Sequence, residues 1–185
     1  NAPGLLVQTI GGGGGSGDSG AGNFTAGRSM LVPNTGNTSA GKLELGVNTN
    51  ARVFSTKDAS PALIAQTIGG GGGFAASTKG TVQLGAGGSG TLNADASAGT
   101  IAWTNSASGT QTVVTDDDIV TSTIAGIATS GNFSPAVVLQ TIGGGGGYTT
   151  GGTRVSFSAA GHAGSSTTAG AITANNSGVI TTSGD

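Results

Sequence analysis

The side chains able to do acid–base or metal chemistry are few. The single histidine, His162, lies in AAGHAGSS, and there is no cysteine. A Ser–His–Asp relay drawn from Ser165, His162 and Asp18 has no spacing behind it, because 27 Thr and 20 Ser surround one imidazole. Zinc would lack its nitrogen and sulfur ligands. Gly-x-Gly-x-x-Gly occurs inside the glycine runs, but no helix signal and no phosphate-binding lysine follows it. Asp116-Asp117-Asp118 is the one charge cluster. Its carboxylates could hold Ca²⁺. However, neighbouring strand residues point to opposite faces, and the Asp-x-Asp-x-Asp-Gly loop pattern is absent, so a solvated turn that discourages edge pairing is expected. Trp103 and Tyr148 could be sugar-binding platforms; caps on apolar surface at a coil edge are the preferred reading. Asn23, Asn37, Asn132 and Asn175 open glycosylation triplets, which so Ser- and Thr-rich a chain produces by chance. The expectation is a protein that is not an enzyme and holds no cofactor or metal.

The composition is that of an all-β chain. Of 185 residues 39 are Gly, about three times the usual share. Charged residues make up 8%, far below the roughly 25% of an ordinary soluble domain. A helical bundle needs Leu, Glu, Lys and Arg at a 3.6-residue period, which six basic residues cannot supply. Nucleic acid is not an expected partner, because the basic residues are scattered and the net charge is −2. No apolar run approaches a membrane-spanning helix. Four prolines exclude collagen. Disorder is opposed by the 35% apolar content, gathered in short Val-, Ile- and Leu-rich blocks that favour strands.

A threefold repeat dominates the sequence: NAPGLLVQTIGGGGG, ASPALIAQTIGGGGG and FSPAVVLQTIGGGGG. Pro3, Pro61 and Pro135 correspond, as do Gln8, Gln66 and Gln140, and Ile10, Ile68 and Ile142. Gly13, Gly71 and Gly145 stand in the three glycine runs. The glutamines are 58 and 74 residues apart, as when a stacked strand is kept and the loops between vary. Joining Asp185 to Asn1 gives TTSGDNAPGLLVQTI, which aligns without a gap beside ATSGNFSPAVVLQTI. The chain therefore reads as an excised unit of a tandem array, with Asn1 and Asp185 at a head-to-tail junction. Its sub-repeats are about 8–65, 66–139, and 140–185 continuing into 1–7 of the next copy.

Each motif predicts a strand, with proline at its start and aliphatics covered on both faces. Stacked glutamines can form an amide ladder or point to solvent. The glycine runs can turn sharply, or extend as a threefold helix and pack. Further strands are predicted at 41–47, 51–56, 80–86, 99–105, 109–115, 118–131, 153–159 and 170–184, the last with a corner at Asn175-Asn176-Ser177-Gly178. The repeat favours a β-solenoid (β-helix-like) with glycine-rich packed loops and no significant helix.

The QTIGGGGG motif after an aliphatic triplet, with NSGVITTSGD before the junction, resembles the glycine-rich repeats of large bacterial autotransporter-type passengers and giant adhesins. That resemblance implies an extracellular β-solenoid stalk or fibre. Taken with the split motif at the junction and the lack of a long apolar run, the expected partners are identical units stacked head to tail, with neighbouring fibres or a surface beside them and no membrane insertion. The absence of cysteine fits bacterial export. The alternatives are a phage tail-fibre adhesin tip built on polyglycine helices and, last, an ice-binding face, for which only Thr121-Ser122-Thr123 approaches the needed Thr-x-Thr pattern.

Overall fold

The computed structural model describes residues 2–11, 14–20, 24–26, 39–77, 81–85, 97–108, 111–115, 118–122, 125–144, 146–150, 154–158 and 168–184. All regular elements among them are strands, and the chain makes three rounds. The first runs through β1 (Leu5–Ile10), β2 (Gly14–Gly20), β3 (Phe24–Ala26), β4 (Leu43–Val47) and β5 (Arg52–Ser55). The second has β6 (Leu63–Ile68), β7 (Gly72–Ser77), β8 (Thr81–Gly85), β9 (Ile101–Asn105), β10 (Gln111–Thr115), β11 (Asp118–Ser122) and β12 (Gly126–Thr129). The third has β13 (Val137–Ile142), β14 (Gly146–Thr149), β15 (Arg154–Ser158), β16 (Ile172–Asn176) and β17 (Ile180–Thr182).

Strands in equivalent places pair in parallel and build five three-stranded sheets: β1-β6-β13, β2-β7-β14, β3-β8-β15, β4-β9-β16 and β5-β12-β17. The second round is the middle strand of every one. The architecture is all-β, with parallel strands in stacked sheets. The motif sheet is strictly in register, from Leu5↔Leu63↔Val137 to Ile10↔Ile68↔Ile142. The odd spacing of the motifs has a local cause. Val47 and Val53 are 6 residues apart, while their partners Asn105 and Ile127 are 22 apart. That difference of 16 is the same as the difference between 74 and 58 in the glutamine spacings. The antiparallel hairpin β10-β11 lies in the longer connection, so the second round takes up its extra residues there and keeps its place in the stack.

The motif sheet is a wall between two apolar clusters, because alternate strand residues face opposite ways. Leu63 and Ala65 join Leu43, Val47, Ile101, Trp103 and Ile127 in the main core. Ile64 faces the other way, against Phe74 and Ala76 of β7. With a neighbour on each flank and a cluster on each face, β6 is buried along its whole length.

The glycine runs are not packed loops throughout, which corrects the sequence reading. Gly70 and Gly71 turn the corner at φ 79° and 112°. Gly72 and Gly73 then enter β7, and Gly146 and Gly147 enter β14. With Gly15, these strand glycines have φ from 139° to 157°, a region closed to residues with a Cβ. The space is closed too. A Cβ on Gly72 would run into the carbonyl of Gly146, one on Gly73 into that of Gly15, and one on Gly147 into that of Gly73. Glycine here lets backbones of successive rounds lie against each other at ladder spacing. Two strand boundaries also differ from expectation. The 118–131 block splits into β11 and β12, and β16 extends through Asn175 and Asn176, moving the corner to 177–179.

Gly73→Ala is expected to destabilise the fold by about 3 kcal/mol or more, combining backbone strain with a clash against Gly15. Gly15→Ala meets nothing within 4 Å and should cost only the strain, about 1–3 kcal/mol. Urea unfolding of both variants measures the difference.

Candidate functional site

A column of paired amides runs through the motif sheet. Gln8 Nε2 donates to Gln66 Oε1 at 2.7 Å, and Gln66 Nε2 donates to Gln140 Oε1 at 2.6 Å. Gln66 is fully buried, an expensive place for an amide unless it is paired. Its donor and its acceptor are both used by the ladder. By strand alternation the glutamines share the face of Ile64, under the glycine-rich sheet. Ile68 is also fully buried, and Ile10 and Ile142 flank it.

The motif threonines brace this sheet to the fourth. Thr9, Thr67 and Thr141 donate their hydroxyl hydrogens to the carbonyls of Gly41, Gly99 and Gly170 at 2.8, 2.6 and 2.7 Å. These acceptors are glycines for a reason. A Cβ on Gly99 would meet the Gly41 carbonyl, and one on Gly170 that of Gly99. The brace was readable in part, since Thr9–Gly41 and Thr67–Gly99 share a separation of 32 residues. A second amide step joins Asn105 Nδ2 to Asn176 Oδ1 at 2.8 Å, at the end of β9 and β16. The Asn105 Oδ1 accepts from the Ala107 N–H, closing the corner. The signal for this pair was asparagine at the same place in IAWTN and ITANN.

Proline opens each motif beside the ladder. The Pro61 carbonyl accepts from the Gly4 N–H at 3.0 Å, and the Pro135 carbonyl from the Ala62 N–H at 3.3 Å. Pro3 lies at the same place in the first round. Gly71 is buried in its corner. Asn1, Gly13, Asp116, Asp117, Gly145, His162, Ser165 and Asp185 lie outside the described residues. Asp118 pairs with Thr115 as the first residue of β11, so it belongs to a ladder and not to a turn that discourages pairing. Trp103 is no sugar platform: it is 4% exposed inside the main core, with its Nε1 lacking a hydrogen-bond partner. Tyr148 is half-buried, its ring stacked on Phe74 at 6.2 Å, and the desolvation raises its phenol above the ordinary 10.0. Of the asparagine triplets, Asn132 sits in an exposed turn where Phe133 is 84% exposed.

An open trough of about 300 Å³ crosses the fifth sheet, lined by Arg52, Phe54, Ser55, Thr129 and Thr181 among others. The Arg52 guanidinium lies 4.6 Å over the Phe54 ring and covers its face. Among the described residues no cluster of His, Asp or Glu could hold a metal ion. Comparison of the chain with protein-family models, curated proteins and solved structures finds no match.

Gln66→Met keeps the volume but leaves a donor on Gln8 and an acceptor on Gln140 unpaired. The expected loss is about 2–4 kcal/mol; Gln8→Met breaks only one bond but strands the acceptor of the fully buried Gln66, and should cost about 1–3 kcal/mol. Denaturant midpoints decide this. The single tyrosine permits a second test. Because its folded pKa is raised, its contribution is complete below the unfolded value and is lost as pH rises through the folded one. Phenolate absorbance should appear at higher pH in the folded than in the urea-unfolded protein.

Proposed function

We propose that this chain is a structural segment of an extracellular bacterial fibre or adhesin stalk. It is a β-solenoid of three coils, without catalytic role, that works by stacking on identical units head to tail. The observation that carries the reading is the unbroken register of the motif sheet across all three coils. Such a stack is a one-dimensional solid in which each coil supplies the hydrogen-bond partners and apolar cover of the next. The largest fully buried polar side chain among the described residues, Gln66, is committed to that contact rather than to a cleft. The fibre and adhesin context comes from the likeness of the QTIGGGGG and NSGVITTSGD segments to bacterial adhesin repeats.

The test is a fusion of eight copies, Asp185 to Asn1, viewed by negative-stain electron microscopy. At about 4.8 Å per coil, each copy should add about 14 Å, giving continuous rods of about 115 Å. Separate globules on a flexible string would reject the stalk.

A further inference from the structure

The two open edges of the stack differ from its middle in one respect: the residues there are prepared for a further coil. Ile172 and Ile180 hold the places of Ile101 and Ile127 in the third coil, yet they are 43% and 39% exposed where their counterparts are 1% and 0%. The amide ladder also has a sense. Every donor points from an earlier coil to a later one, so Gln140 Nε2 comes next as donor and Gln8 Oε1 is the matching acceptor at the opposite edge.

Gly41 is the clearest sign. Gly99 and Gly170 must be glycine because a Cβ on either would strike the carbonyl of the preceding coil. By the same geometry a Cβ on Gly41 points off the edge of coil one, and it meets nothing within 4 Å. Its φ lies outside the range that demands glycine. Nothing among the described residues requires glycine at 41; a coil seated on that edge would.

One position in coil one breaks this fit. Two residues past the paired Ser55, Thr129 and Thr182 stand Lys57, Gly131 and Gly184. A Cβ on Gly131 would run into the Lys57 carbonyl, and one on Gly184 into the Gly131 carbonyl. The turns at 57 and 131 share a shape, with Ala59 and Phe133 both left-handed at φ 50° and 54°. They also interlock, Asn132 N–H donating to Asp58 Oδ1 at 2.8 Å and Ser134 Oγ to the Lys57 carbonyl at 2.9 Å. The Cβ of Lys57 therefore projects off the edge, into the place where the Gly184 carbonyl of an arriving coil would lie. Lysine on an exposed sheet edge is a common device against unwanted pairing.

We propose that the coil-one edge receives the coil-three edge of a second copy of this chain, and that Lys57, through its Cβ, holds that contact weak between free copies. The proposal rests on the stacking reading above, but it fails separately. Covalent fusion raises the effective concentration that free copies lack, so rods from fused units and no association of Lys57→Gly would leave the stalk standing and overturn this inference alone.

The experiment is sedimentation velocity over a concentration series for wild type, Lys57→Gly, Lys57→Ala and the double variant Lys57→Gly/Gly41→Val, with melting temperatures measured alongside. Glycine already occupies this place in the other two coils, so Lys57→Gly should fold. Its association constant should rise about tenfold or more, the scale of one relieved steric contact. Lys57→Ala keeps the Cβ and should behave as wild type. The double variant should return to the wild-type level while melting with Lys57→Gly, because Gly41 faces open space in the single chain. Equal association of Lys57→Ala and Lys57→Gly would make charge the cause and overturn the proposal. So would no gain in Lys57→Gly, or continued association of the double variant.

Discussion

The spacing of a parallel backbone ladder, about 4.8 Å from strand to strand, governs this molecule. Once five sheets share that spacing, each residue sits directly over its counterpart one coil away. Any side chain aimed along the stacking direction must then vanish. Gly73, Gly99, Gly131 and Gly170 are the result: at each a Cβ would enter the backbone of an adjacent coil. At these positions glycine is thus a consequence of close approach between backbones, and not the mark of a loose chain.

The same spacing turns polar residues from a liability into a fastening. A buried amide needs a donor and an acceptor, and an identical amide one coil away offers both in the right place. Gln66 uses this fully, and Asn105 and Asn176 repeat the device at a corner. The ladder also opposes slippage. Moving one coil by a single residue would turn glutamine toward the opposite face and set an unpaired amide against Leu63 and Ala65.

What could be read from sequence follows from which residues leave a pattern. The motif strands β1, β6 and β13 were legible because aliphatic triplets, glutamine and proline repeat as blocks. So were β4, β8, β9 and β15, short Val-, Leu- or Ile-bearing runs between glycines. The glycine strands β2, β7 and β14 were hidden, since a residue without a side chain has no periodicity, and its conformation near φ 140° lies outside ordinary strand propensity. Half of the hairpin was hidden: the 109–115 run marks β10, but 118–131 reads as one block, and its division between β11 and β12 depends on which neighbour each half meets. Trp103 could not be placed as core from composition, because its exposure is decided by Leu43 and Val47 of the first round and by Ile127 of another sheet. The threonine braces needed two distant segments, and only their shared separation hinted at them.

The hairpin β10-β11 shows how freely this plan separates contour length from height. Sixteen extra residues leave the second coil without disturbing the register on either side. An excursion at that corner is fixed in altitude by the coil that bears it, whatever its own length or composition. The stack therefore behaves as a ruler with graduations about 4.8 Å apart. Unrelated peptides could be exchanged at one graduation while every other mark stays where it was.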